Sequence, residues 1–262
     1  MQLAAISFER HGQQALRKND ARYLFASQET LIPVVAAELS HLLPSMALTF
    51  VPKEQSYLLM ALTSLQPNHN LYVAPNTGKW LAEYIPASLR AWPYHMATPP
   101  GADAPILCID EDCGLLAPKG EGSDFFEAPG KLTEATQKML SFLSHIETNR
   151  RLTQDAVDAL GAAGLIQPWA LQAKKDDATV PINGLFRINE QALNALDANQ
   201  LHELHGKGAL AIAYAQLYSI QQLSMLEKLA GAHAQLRQKA ASATVDAGFL
   251  KDRETIDFGG LK

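Results

Sequence analysis

The sequence has little of what usually announces a function. Cysteine occurs twice, at Cys108 and Cys113, and never as CxxC. That excludes a disulfide framework and a zinc ribbon, and two reduced thiols are expected. Charged residues are sparse at 19%, with 22 basic and 27 acidic side chains giving a net charge of −5. Mild acidity supplies no electrostatic reason to bind nucleic acid, and no basic run is interleaved with aromatics. No apolar run reaches the roughly 18 residues of a membrane span. Glu9, Arg10 and His11 interrupt the N-terminus before an apolar stretch of signal-peptide length can form, so a cytoplasmic location is expected. No GxGxxG, GxSxG or kinase-like set occurs.

What is present is a globular composition. The 262 residues, 47% of them hydrophobic, are enough to bury a core without disulfides or metal. Residues 29–43 (ETLIPVVAAELSHLL) predict a short helix with Pro33 in its first turn and Pro44 as its stop. Residues 47–51 and 57–63 predict strands buried on both faces, residues 71–74 a third, and 106–109 a fourth. Pro67-Asn68 and Pro75-Asn76-Thr77-Gly78 read as turns, and 114–130 as a Gly/Pro/acid-rich loop.

The composition then changes. Residues 131–163 carry helical spacing, with a drift in the apolar face that predicts a break near Arg150 or Arg151. Residues 167–173 and 180–188 predict a strand pair joined by KKDDAT. A short helix is expected over 189–196, with Asp197 or Asn199 capping the next. The longest helical pattern runs from Lys207 to about Lys239, with a stripe that includes Leu210, Ala213, Tyr214, Leu217, Leu226 and Leu229. Its small residues suit core packing first and a homodimer interface second. Strands early and helices late predict an α+β fold, a mostly antiparallel sheet packed with long helices. One domain is expected over 1–240, with a polar tail over 241–262.

Few residues invite a chemical reading. Asp110, Glu111 and Asp112 follow a strand, where carboxylates can hold a cation or a ligand amine, but on extended chain they diverge. Arg90 lies in sequence among Trp80, Tyr84, Trp92 and Tyr94, a grouping suited to a carboxylate, a ring or a peptide. The plain alternative is that these aromatics fill a core edge and Arg90 pairs with Asp110 or Asp112. Arg187, near a strand end, has the same two readings. His202, Glu203 and His205 have i, i+3 spacing rather than the HExxH of zincins, so no metal site and no cofactor are expected. Asn76-Thr77-Gly78-Lys79 lacks the frame of a phosphate loop.

Five blocks carry a family likeness: FASQETLIPVVAAELSHLLPSMALTFV from Phe25, the W-x3-YIPxxLRxxPY block from Trp80, CIDED from Cys108, INGLFRINEQALNAL from Ile182, and LHELHGKGALAIAYAQLYSIQQLSML from Leu201. In this order and combination they resemble the bacterial SapC family, and FLKDRETIDF from Phe249 resembles its acidic-aromatic ending. The resemblance implies a setting, near surface-layer genes or beside TonB-dependent receptors, cupin-like hydroxylases and flavin-dependent halogenases. It implies no catalytic set. The expectation is a non-catalytic binding or accessory protein that meets a peptide, a small molecule or a partner protein through Trp80, Tyr84, Arg90, Trp92, Tyr94, Asp110–Asp112 and Arg187. An enzyme using one of the three acids as acid or base, or a surface-layer structural protein, is the alternative.

Overall fold

The computed structural model describes residues 2–99, 104–175 and 178–251. The chain begins with β1 (Leu3–Ala5), α1 (Phe8–His11) and β2 (Gln14–Leu16). The segment expected as one helix opens instead as β3 (Leu31–Pro33), then a 3-10 turn (Ala36–Glu38) and the single turn α2 (Leu39–Leu42). Pro33 explains the difference. It sits on the edge strand of its sheet, where a residue without an N–H breaks no ladder.

The expected hairpin forms as β4 (Ala47–Lys53) and β5 (Ser56–Leu62), paired in register from Ala47↔Leu62 to Lys53↔Ser56. The third strand expected over 71–74 is reduced to one bridge, Val73 with Trp80. Buried Asn70 takes the hydrogen bonds a partner strand would have supplied: Nδ2 donates to Ala26 O at 3.0 Å, and Oδ1 accepts from Tyr72 N at 2.9 Å. Next come α3 (Ala87–Ala91), β6 (Tyr94–Ala97) and β7 (Ile106–Asp110). The stretch read as a loop over 114–130 carries β8 (Leu116–Pro118), β9 (Ser123–Asp124) and β10 (Phe126–Ala128), and β11 (Lys131–Leu132) follows.

Helix α4 (Glu134–Ala162) is continuous through Arg150, so the predicted break is absent. Its apolar face drifts because the helix serves two cores. Leu143 joins a cluster with Tyr94, Ile109 and Phe125, whereas Ala156, Val157 and Leu160 join the larger cluster around β4 and β5. The strand pair after it splits into β12 (Ile166–Pro168) with β15 (Phe186–Ile188), and β13 (Leu171–Lys175) with β14 (Ala178–Ile182). Then follow α5 (Glu190–Asn194), capped by Asn189, and α6 (Ala198–Gly206), capped by Asp197. The long C-terminal helix is interrupted: α7 (Ala209–Ser219), a 3-10 turn (Ile220–Gln222), then α8 (Leu223–Lys251). Tyr214, assigned to the buried stripe by spacing, is exposed beside Tyr218. Helix α8 runs into the segment expected as a polar tail, and the tail from 252 onward lies outside the described residues.

The fold is α+β. The main sheet has the order β12-β15-β4-β5-β3, all neighbours antiparallel; β1-β7-β6 and β8-β2-β9 form two smaller sheets. Helix α4 packs on β5, and α7 on β4. Strands from the two halves of the sequence share this sheet, because β15 pairs with β4 of the N-terminal hairpin.

That junction is thin: β15 and β4 share one registered pair, Phe186↔Phe50. Fully buried Gln216 of α7 completes it. Its Oε1 accepts from Ile188 N at 2.9 Å, and its Nε2 donates to Leu48 O at 3.2 Å. Ser219 Oγ accepts from Leu48 N at 2.9 Å and donates to Gln216 O at 2.7 Å. Thr49 Oγ1 donates to Phe186 O at 3.0 Å. Two side chains of one helix and one of a strand thus replace missing ladder bonds.

Two predictions follow from this packing. Gln216→Leu preserves bulk but orphans a buried N–H and a buried C=O. It is expected to cost roughly 2–5 kcal/mol in urea unfolding, and a loss below about 0.5 kcal/mol contradicts the clamp. The second concerns acid. Burial lowers the pKa values of His11, His69, His95 and His233. Below the ordinary histidine value of about 6.5 the unfolded chain then binds more protons than the folded one, so stability is full above that value and is lost as pH falls through the depressed folded values. The urea midpoint should be lower at about pH 5.5 than at about pH 7.5; an equal or higher midpoint contradicts it.

Candidate functional site

The expected acidic strand end is ordered by its own turn. Asp110 closes β7, and a 3-10 turn (Glu111–Cys113) follows, ended by Gly114 in the left-handed conformation at φ 71°. Asp110 Oδ1 accepts from Asp112 N at 3.2 Å and from Gln2 N at 3.0 Å, which ties the start of the chain to the turn. Glu111 turns away to α1. It accepts from Arg10 Nε at 2.6 Å and from Arg10 Nη2, and its Oε1 lies 3.3 Å from Nε2 of buried His11. The hydrogen bond to Arg10 holds the Glu111 carboxyl below its ordinary pKa. The chain is not extended here, as the expected divergence of all three acids required: the 3-10 turn sends Glu111 away while Asp110 and Asp112 line a common cleft.

The cleft has a volume of about 610 Å³, within the range of small-molecule sites. One wall is the β6–β7 end, with Trp92, His95, Asp110, Asp112 and Cys113; the other is Phe25, Glu29 and β3. Phe25 and Trp92 stack at 4.0 Å between centroids, 9° from parallel. Gly78 holds the Phe25 segment in place. At φ 62° it accepts from Tyr23 N, and a Cβ there would lie 2.0 Å from Ala21 O.

The carboxylates of the cleft come from both walls. Glu29, Asp110 and Asp112 line it, and no Lys or Arg is among the described lining residues. His95 lies among them, its pKa lowered by burial and partly restored by Asp110. Its Nε2 is buried and has no hydrogen-bond partner among the described residues. Burial raises the pKa of both Cys108 and Cys113, so both stay thiols near neutral pH and are poor nucleophiles.

The other expected site residues lie elsewhere. Exposed Arg90 does not line the cleft and does not meet Asp110 or Asp112. Its Nε donates to Ile85 O at 3.0 Å and its Nη2 to Tyr84 Oη at 3.0 Å, with the guanidinium over the Tyr84 and Phe142 rings. Tyr84 donates to Oε1 of buried Glu38 at 3.0 Å, and the same oxygen accepts from Ala87 N at 2.6 Å. Arg90 therefore reaches an acid through a tyrosine, and the acid is Glu38. Trp80 is core, its Nε1 donating to Tyr84 O at 2.7 Å. Tyr94 is core beside Phe125, and burial pushes its pKa up to about 12. Arg187 borders a separate depression with Tyr214 and Tyr218.

Sequence reasoning missed Phe25, Glu29, His95 and Cys113. The first two stand in the family-like block from Phe25 to Val51, but nothing in their spacing points across to Asp112. His202, Glu203 and His205 are exposed on α6, and among the described residues no three His, Cys, Asp or Glu side chains are grouped to hold a metal ion. No described helix is long and apolar enough to cross a membrane.

Comparison with known proteins gives one family and no individual relative. No curated protein and no solved structure matches the chain. A model of the SapC family matches residues 6–226, a span that contains both walls of the cleft and the Gln216 clamp. The chain belongs to the SapC family.

Proposed function

We propose that the protein is a binding or accessory protein whose cleft holds the cationic end of a small ligand or peptide. The ligand class is an amine or guanidinium carried on an apolar or aromatic body. The observation that carries this reading is the pairing of stacked Phe25 and Trp92 with three carboxylates and no lining Lys or Arg. An ammonium among the carboxylates gains charge-assisted hydrogen bonds, and the stacked rings offer apolar surface to the body that carries it. The two cysteines are thiols with raised pKa values, which favours binding over nucleophilic chemistry. A place in a bacterial surface-layer or TonB-linked system is part of the proposal and rests on the family setting alone.

A second reading, acid–base catalysis by His95 with Asp110 or Asp112, is favoured by the unpartnered Nε2 beside those acids. It requires that N-acyl phenethylamines be hydrolysed by water to the carboxylic acid and the amine, and that His95→Gln abolish the release. Recovery of the intact compounds sinks it.

The binding reading is tested by calorimetry with phenethylamine and phenylacetate. The ammonium should bind and the carboxylate should not. Glu29→Gln combined with Asp112→Asn should weaken phenethylamine binding about tenfold or more, and Trp92→Ala should do the same. Equal binding of the two probes, or binding indifferent to these changes in variants whose unfolding midpoint is preserved, contradicts the reading.

A further inference from the structure

A second cavity, of about 820 Å³, lies between α8 and the 64–71 segment that follows β5. Its lining has an order that the first cleft lacks. Leu65, Leu71, Leu226 and Ala230 give an apolar body, and Arg237 and His69 stand together at one end. Arg237 Nη2 lies 3.4 Å from His69 Nε2. Guanidinium can only donate, so Nε2 is the accepting nitrogen and His69 presents its Nδ1–H. The lining carboxylate, Glu227, sits ten residues before Arg237 on the same helix, about 15 Å away along its axis. Among the described residues Arg237 forms no ion pair with a carboxylate.

His233, which lines this cavity, is only 2% exposed. Its Nε2 lies 2.9 Å from Leu71 O, a carbonyl that can only accept. Nε2 therefore carries the hydrogen, and Nδ1 is an acceptor. That Nδ1 is buried with no partner among the described residues. A buried acceptor left unmatched is costly, and a ligand O–H or N–H entering from the cavity can match it. The His233 ring is held edge-on to His69, 5.3 Å between centroids, so the acceptor and the cationic end belong to one wall.

We propose that this cavity is a second ligand site, for a small aryl or acyl carboxylate that carries a hydroxyl or N–H donor. The carboxylate meets Arg237, which His69 Nε2 helps to hold in place. The hydrocarbon lies on Leu65, Leu71 and Leu226, and the donor reaches His233 Nδ1. The ligand charge is opposite to that proposed for the first cleft, and the two sites share no lining residue.

The probe is 4-hydroxyphenylacetate, titrated into the full chain by ligand-observed NMR and calorimetry. It should bind at millimolar concentration or below. The 4-methyl analogue, which keeps the ring and the carboxylate but loses the donor, should bind about tenfold more weakly. So should 4-ethylphenol, which keeps the donor but loses the carboxylate. Arg237→Gln, at an exposed position and so expected to fold, should abolish the preference for the acid over 4-ethylphenol. Glu29→Gln with Asp112→Asn should leave binding of this probe unchanged, which separates this site from the first. No binding of 4-hydroxyphenylacetate, equal affinity of the three compounds, or a preference that survives Arg237→Gln overturns the proposal.

Discussion

The junction between the N-terminal hairpin and the C-terminal strands depends on the buried amide of Gln216. A carboxamide presents the same donor and acceptor as a peptide group, and here it stands in for one. It accepts from β15 and donates to β4 where those strands share a single registered pair. The interaction couples two otherwise separate events. Helix α7 cannot dock without finding both strands, and β15 cannot join the sheet fully without α7. Ser219, three residues on, fixes the next backbone group of β4, which sets the rotation of the helix as well as its depth.

The same logic of buried polar groups holding distant segments recurs around the cleft. Glu38 collects Val35 N, Ala87 N and the Tyr84 hydroxyl, and so joins the turn after β3 to the segment before α3. Asp110 joins the start of the chain to the turn after β7. These ties join the segments that carry β3 and the β6–β7 end, one wall from each core cluster, and α4 contributes to both clusters. The cleft is therefore a seam between two cores. Its carboxylates stand at the seam because the strand and turn ends that form it are also the chain's polar boundaries.

Local signals in the sequence carried far in some places and failed in others. The β4–β5 hairpin was legible from apolar density, and the caps Asn189 and Asp197 from residue type, because each is settled by a few neighbouring residues. The 29–43 segment reads as a helix from sequence because Pro33 suits both a first helical turn and an edge strand, and only the neighbouring strand decides between them. The drift of α4 was legible as a pattern but not as a cause, since a helix serving two cores and a broken helix leave the same trace. Trp92, Asp110 and Asp112 were expected together and stand on one cleft. Phe25, Glu29 and His95 were not expected, because their relation to Asp112 exists only across the seam. Gln216 was invisible, one polar residue in an apolar helix, for the same reason. Sequence proximity groups Arg90 with Tyr84, which it meets, but not with Glu38, the acid it reaches through Tyr84 in place of Asp110 or Asp112.

A carboxylate-lined seam closed by Phe25 and Trp92 makes a specific demand on where a cation settles. In a two-dimensional NMR titration of the uniformly labelled chain with phenethylamine, the indole N–H of Trp92 should shift together with the backbone amides of Phe25, Glu29 and residues 110–113. Saturable shifts confined to other surfaces, with the Trp92 indole unmoved, would contradict the assignment of this cleft as the binding site.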